Sequence, residues 1–143
     1  MDERQVAVDL FNAVWRQLER TDRTADDDAA MVHMAHASVH HWAQVGTEVN
    51  LARGEWQVSR VYAAVGRGEP ALWHAQRCLD LCARNGFEDW DLAYAHEAMA
   101  RSYAVLGDGA ACERHVASAR DIEIAEEDDR ELLEKDLATI PVR

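Results

Sequence analysis

The chain has 143 residues, of which 48% are hydrophobic and 29% charged, a balance typical of a globular domain. Its formal net charge of −12, with no basic stripe to offset it, argues against binding to nucleic acid or anionic lipid, since both are negatively charged. No apolar run reaches the roughly 20 residues that a membrane span needs, and the N-terminus lacks the pattern of a signal peptide. The composition therefore predicts a cytoplasmic protein that binds neither nucleic acid nor a membrane.

Hydrophobic periodicity predicts seven α-helices and no strand. The first helix covers residues 2–20. The second covers 25–45, because Thr24 and the acids after it are good N-terminal residues and Gly46 stops it. The third begins after Thr47 and reaches about Val65. Each carries one apolar stripe, as helices of an α-helical domain do.

The second half of the chain is divided by turn residues. The fourth helix starts at Glu69-Pro70 and ends at Asn85-Gly86, where a left-handed cap is favoured. The turn Gly107-Asp108-Gly109 separates the fifth and sixth helices, and a final short helix follows the acidic break at 126–129. We expect one domain over residues 1–140 and a frayed tail over 141–143.

An internal repeat connects these elements. Three predicted helix ends have an aromatic residue four positions before a glycine: Trp42 and Gly46, Tyr62 and Gly66, and Tyr103 and Gly107. A small–large–small pattern follows the last two of them, as Ala75-Leu79-Cys82 and Cys112-Val116-Ala119. In this alignment the turn after Gly66 has four extra residues.

These motifs resemble those of the tetratricopeptide-repeat (TPR) family. The resemblance extends from about Val58 to Ile122. It implies an all-α fold, a TPR-like stack of about three antiparallel helical hairpins plus a C-terminal capping helix. It also implies a concave groove that usually binds a peptide, in proteins that are mostly adaptors or scaffolds.

The leading hypothesis is therefore a small binding or adaptor protein whose groove holds a protein, a peptide or a small molecule. Surfaces that combine tryptophan and arginine, as around Trp56, are common at interfaces and in ligand pockets. The residues expected on the groove face are Trp42, Glu55, Trp56, Arg60, Tyr62, His96 and Tyr103.

The alternative hypothesis is an enzyme or metal-binding protein with a Glu/His site built between helices. Glu55 and His96 each lie in the middle of an apolar stripe, and a buried carboxylate needs a partner. Brought together, the two would form an acid–base dyad or the second shell of a metal. The other interpretation of Glu55 is an ion pair with Arg60, Arg77 or Arg101.

Histidines also suggest a metal site. His33, His36 and His40 lie on one ridge of the second helix, at spacings of three and four residues. Three imidazoles there could hold a divalent ion such as zinc or copper, if another helix supplied a further ligand. Otherwise they line an exposed or interhelical face. A homodimer in which each groove is filled by the other copy is a third hypothesis for the chain.

Overall fold

The computed structural model describes residues 2–141, which contain seven α-helices and no strand. Their bounds are α1 Glu3–Leu18, α2 Ala25–Val45, α3 Glu48–Ala64, α4 Gly68–Asn85, α5 Asp89–Leu106, α6 Gly109–Asp121 and α7 Glu127–Leu137. The predicted all-α class is confirmed. No described helix is long and apolar enough to cross a membrane. Of the predicted tail, Pro141 has no regular secondary structure, and residues 142 and 143 lie outside the described range.

Helices that are neighbours in the chain pack against each other. The pairs α1–α2, α3–α4 and α5–α6 share the largest contacts, and α2–α3 and α4–α5 join one pair to the next. The chain then turns back, so that α7 packs against α5. This arrangement is compatible with a helical-hairpin fold, and it brings α1, α3, α5 and α7 to one side of the molecule.

The aromatic–glycine signature marks helix ends, as predicted, but with two geometries. Gly66 and Gly107 have φ of 80° and 82°, a left-handed conformation that glycine adopts without strain. The backbone N–H of the residue after each glycine donates to the carbonyl of the aromatic residue, from Arg67 to Tyr62 at 2.8 Å and from Asp108 to Tyr103 at 2.9 Å. Gly46 is extended instead, and a Cβ there would lie 2.9 Å from the Trp42 ring. Space, not backbone conformation, therefore requires glycine at position 46.

The two repeats have turns of equal length. Helix α4 begins two residues after Gly66, and α6 begins two residues after Gly107. The predicted four extra residues are therefore wrong, and Ala71, not Ala75, is the equivalent of Cys112 at a spacing of 41 positions. The error has a physical cause. Small buried residues recur on nearly every turn of α4, namely Ala71, Ala75, Cys78 and Cys82. The small–large–small pattern therefore fits this helix in two registers.

The core is made of contacts between successive helices. One cluster joins α1, α2 and α3 through Val14, Met31 and Val58, and another joins α5, α6 and α7 around Leu133 and Leu137. Small side chains occupy many of the contacts, as at Gly54, where an added Cβ would lie 2.8 Å from Val39. All three cysteines are buried free thiols. The helices thus approach closely, which fixes how their side chains are placed relative to one another.

Candidate functional site

A groove of about 920 Å³ lies across α1, α3, α5 and α7. Its larger uncharged lining side chains are aromatic or aliphatic: Phe11, Trp15, Leu18, Trp56, Trp90, Tyr94 and Leu132. Its charged lining residues are Glu19, Arg53, Arg60, Asp91, Arg101 and Asp136. A second groove, of about 570 Å³, lies beside α6 and the end of α7 and is lined by aliphatic and small residues together with Glu113, Arg120 and Asp121.

The aromatic side chains of the larger groove form a continuous wall. The Trp15 and Trp56 rings lie 5.3 Å apart and join α1 to α3. Trp56 then meets Tyr94 edge-on at 5.6 Å, and Tyr94 meets Trp90 edge-on at 5.4 Å. Edge-on pairs at these distances are favourable, so the wall holds its shape without a ligand.

A buried carboxylate lies behind this wall. Glu97 of α5 is 0% exposed, and the indole Nε1 of Trp56 donates to its Oε2 at 3.0 Å. Its Oε1 accepts from Arg101 Nε at 2.8 Å and from Arg60 at 3.4 Å. Burial of a carboxylate is tolerated only with such partners. Glu97 therefore ties α3 to α5 directly behind the aromatic wall.

The same network holds α7 in place. Arg101 also donates to the Asp136 carbonyl at 3.0 Å and to Thr139 Oγ1 at 2.8 Å. The Tyr94 hydroxyl donates to Asp136 Oδ2 at 2.6 Å. Burial, and then the Asp136 carboxylate, raise the pKa of Tyr94 above its ordinary value, so the phenol keeps its proton and remains a donor. One side of the groove is thus closed by α7.

Two other arginines that line the groove, Arg53 and Arg60, differ in how well they are paired. Arg53 forms a two-pronged pair with Asp91, at 2.9 and 3.2 Å, and its guanidinium lies 5.3 Å from the Trp90 ring. The Arg60 side chain is only 18% exposed, and its contact with Glu97 is long. Burial, and then the charge of Arg101, lower the pKa of Arg60. Arg60 is therefore the least well paired of the lining cations.

Of the residues predicted for the groove face, Trp56 and Arg60 line this groove. Trp42 instead is buried on α2, with the Arg4 guanidinium 5.3 Å from its ring. The remaining four belong to two side-chain clusters between helices, away from the groove lining: Glu55, Tyr62, His96 and Tyr103.

The first of these clusters lies between α2, α3 and α4, and we name it the Glu55 cluster: His36, Glu55, Tyr62, His74 and Arg77. Glu55 is 6% exposed and accepts from His74 Nδ1 at 2.6 Å and from Arg77 Nε at 3.3 Å. The Arg77 pair is one of those that the sequence predicted. Tyr62 stacks on His74 and is hydrogen-bonded to His36 Nε2 at 2.8 Å. Burial, and then the charge of His74, lower the pKa of His36.

The second cluster is its counterpart one repeat later. His96 and His115 share a hydrogen bond between their Nδ1 atoms at 3.1 Å, and Tyr103 stacks on His115. Burial lowers the pKa of both histidines. The charge of His115 lowers the pKa of His96 further, and the charge of Arg114 lowers that of His115 further. Glu55 and His96 each pair with a histidine 19 residues later. The structure therefore gives them separate partners and does not form the predicted dyad.

The histidines of α2 are not arranged around a common point. His36 bonds to Tyr62, and His40 lies edge-on to His41. Between residues 2 and 141, no group of three or more His, Cys, Asp or Glu side chains is placed to hold a metal ion. The metal hypothesis for His33, His36 and His40 thus gains no geometric support and stays a prediction.

Several residues in the groove lining and directly behind it were not predicted. Glu97 and Arg101 are four apart in the apolar run of α5, a spacing that pairs opposite charges on one helix face. An acid and a base so placed in an otherwise apolar segment could have indicated a buried pair. Asp136 had no such signal, because only the packing of α7 on α5 brings it to Tyr94. Trp90 and Tyr94 are also four apart on α5, but that spacing does not show that their face meets the groove.

No protein-family model matches the chain, and no curated protein or solved structure matches it either.

Proposed function

We propose that the chain is a binding protein whose larger groove encloses a small, mainly apolar molecule. The observation that carries the proposal is the aromatic wall of a groove of about 920 Å³. Small-molecule sites commonly have volumes of about 300–1,000 Å³ and a mostly apolar lining with a few polar groups. This groove has both properties. A cytoplasmic location remains part of the proposal.

The arrangement of the helices supports a TPR-like stack of three hairpins with a cap as part of the same proposal. The groove is formed by α1, α3 and α5, the first helices of successive pairs, and α7 adjoins the last of them. In a TPR-like stack this face would be the concave one. The repeat spacing of 41 positions is longer than the 34 residues of a TPR unit, so the units would be elongated versions.

A small molecule fits this lining better than a peptide does. An extended peptide needs partners for its own backbone amides along its length. Most polar lining groups are already used: Arg53 by Asp91, and Arg101 by Glu97 and α7. The wall between them offers aromatic surface, and α7 limits the length of the groove. The test below distinguishes a small molecule from the other candidate occupants of the groove, which are a peptide, a protein and a second copy of the chain.

Binding of N-phenyl-1-naphthylamine, an apolar dye that fluoresces when it leaves water, tests the proposal. We expect it to bind the wild-type chain and to bind Trp15→Ala about tenfold more weakly. Trp15 is chosen because Trp56 also holds Glu97. Trp73→Ala is the matched control, since Trp73 is 60% exposed on α4 and does not line the groove.

Besides a wild-type chain that does not bind the dye, three results would overturn the proposal. One is dye binding that Trp15→Ala leaves unchanged, and another is an equal loss in Trp73→Ala. The third is a dimer, seen by sedimentation at several concentrations, that Trp15→Ala dissociates, because the groove would then be filled by a second copy of the chain. Capture of an extended peptide with no dye binding would favour the adaptor hypothesis.

The alternative function, acid–base chemistry at a Glu/His site, is favoured by one contact. The 2.6 Å hydrogen bond from His74 Nδ1 to the buried Glu55 is of the kind that orients a general base. The site would then use His74 in place of His96. Its metal version is tested by metal content in untagged protein. Near-stoichiometric metal that is lost when His33, His36 and His40 are changed to alanine would support it.

A further inference from the structure

We infer that the ligand of the larger groove is an apolar acid, whose body packs on Trp15 and Trp56 and whose anionic group pairs with Arg60. This inference rests on the proposed function and adds the chemical class of the ligand. It depends on how the lining arginines are paired, on the burial of Arg60, and on what lies beside Arg60 on α3.

The lining arginines differ in how much of their hydrogen-bonding capacity is used. A guanidinium has five N–H donors. Arg101 donates to Glu97, to the Asp136 carbonyl and to Thr139, and Arg53 donates twice to Asp91. Within residues 2–141, the hydrogen bond of Arg60 is a single 3.4 Å contact, with the Glu97 oxygen that Arg101 already holds at 2.8 Å. Arg60 thus has donors to spare.

The burial of Arg60 makes those donors significant. Its side chain is 18% exposed, so little water solvates the guanidinium. The charged groups around it are the carboxylates of Glu97 and Asp136 and the cation of Arg101. Glu97 is shared by two guanidinium groups, and the Asp136 carboxylate accepts from Tyr94. An anion in contact with Arg60 would accept from the N–H groups that these carboxylates leave unbonded, and such charge-assisted pairs are strong where water is excluded.

The position of Arg60 matches an amphipathic ligand. Trp56 and Arg60 are four residues apart on α3, so the aromatic face and the cation lie side by side along one helix face. Ala63 and Ala64, the small lining residues of the next turn, leave room beside Arg60. Glu19, the residue after the last turn of α1, also lines the groove, and its charge would repel an anion on that side.

A matched pair of dyes tests the inference. 8-Anilino-1-naphthalenesulfonate has the body of N-phenyl-1-naphthylamine with an added sulfonate, which stands for the acid of the ligand. We expect Arg60→Met to weaken binding of the sulfonate about tenfold and to change binding of the neutral dye less than twofold. Arg60→Lys keeps the positive charge, so it should bind the sulfonate better than Arg60→Met does and more weakly than the wild-type chain does. Arg16→Met, an exposed change next to Trp15, is the control and should affect neither dye.

A second measurement needs no variant. Raising the salt concentration should weaken binding of the sulfonate to the wild-type chain and leave the neutral dye unaffected, because salt screens ion pairs. Sulfonate binding that is insensitive to both salt and Arg60→Met would overturn the inference, and so would an equal loss of both dyes in Arg60→Met with the helix content retained. If the wild-type chain binds neither dye, the proposed function itself fails, which is a different result.

Discussion

The indole nitrogen of Trp56 donates a 3.0 Å hydrogen bond to a carboxylate oxygen of Glu97, a residue that no solvent reaches. The two residues are 41 positions apart, on the first helices of successive pairs. The contact therefore joins one repeat to the next. It also fixes the plane of the Trp56 ring, whose face belongs to the aromatic wall of the groove. Stability and the shape of the site depend here on the same hydrogen bond.

Glu97→Ala should lower the free energy of unfolding by about 3–5 kcal/mol, the usual loss when one partner of a buried ion pair is removed. The change leaves Arg60 and Arg101 close together without the carboxylate between them. Urea unfolding followed by circular dichroism measures it. Glu134→Ala, which removes the exposed pair with Arg120, is the control and should cost less than about 1 kcal/mol. Equal losses in the two variants would contradict this account of Glu97.

The helices were largely predictable because local chemistry sets their ends. Thr24 Oγ1 accepts from the Asp27 backbone N–H, and the Thr24 backbone N–H donates to the Asp27 carboxylate, as the sequence of that helix start indicated. Gly86 and Gly107 are left-handed caps. Such signals involve residues a few positions apart, so they can be read before the tertiary structure is known.

The site was less predictable, because α5 is buried on nearly every side. Alanines surround Glu97 and Arg101 on that helix, so no polar face shows which side meets the groove. His96 and Glu55 lie on equivalent stripes, which suggested a pair. Equivalent positions of a repeat have equivalent neighbours, however, and each of the two meets a histidine of its own second helix.

Gly54→Ala should destabilise the fold, although alanine favours a helix interior by roughly 0.5–1 kcal/mol over glycine. The new Cβ would lie 2.8 Å from Val39 Cγ2, and overpacking of this kind costs about 1–3 kcal/mol. A melting temperature below that of the wild type is the expected result. The control is Gly109→Ala at the start of α6, where nothing lies within 4 Å of an added Cβ. Adding Val39→Ala should recover part of the loss, and no recovery would count against the clash.

Acidification should weaken the packing of α5 on α6. Burial lowers the pKa of His96 and His115 from the ordinary 6.5, so below that pH the unfolded chain binds more protons than the folded one. Their contribution is fully present above pH 6.5 and is lost as the pH falls through the lowered values. Unfolding by urea between pH 7.5 and 5 measures the slope. The double change His96→Gln and His115→Gln should reduce the slope, with His36, whose pKa is also lowered, contributing the remainder. An unchanged slope would show that other groups cause it.

Glu55→Ala tests whether the Glu55 cluster is structural or belongs to a site. If it is structural, the change leaves His74 and Arg77 without their acceptor and should cost about 1–3 kcal/mol. Glu55→Gln should cost less, because an amide oxygen can still accept from His74 Nδ1. Neither change should affect dye binding in the groove, since the Glu55 cluster does not line it. A different result would move the functional site to Glu55 and His74: a Glu55 variant that is as stable as the wild type but no longer gives a ligand-dependent signal. A merely structural pair contributes to stability and to nothing else.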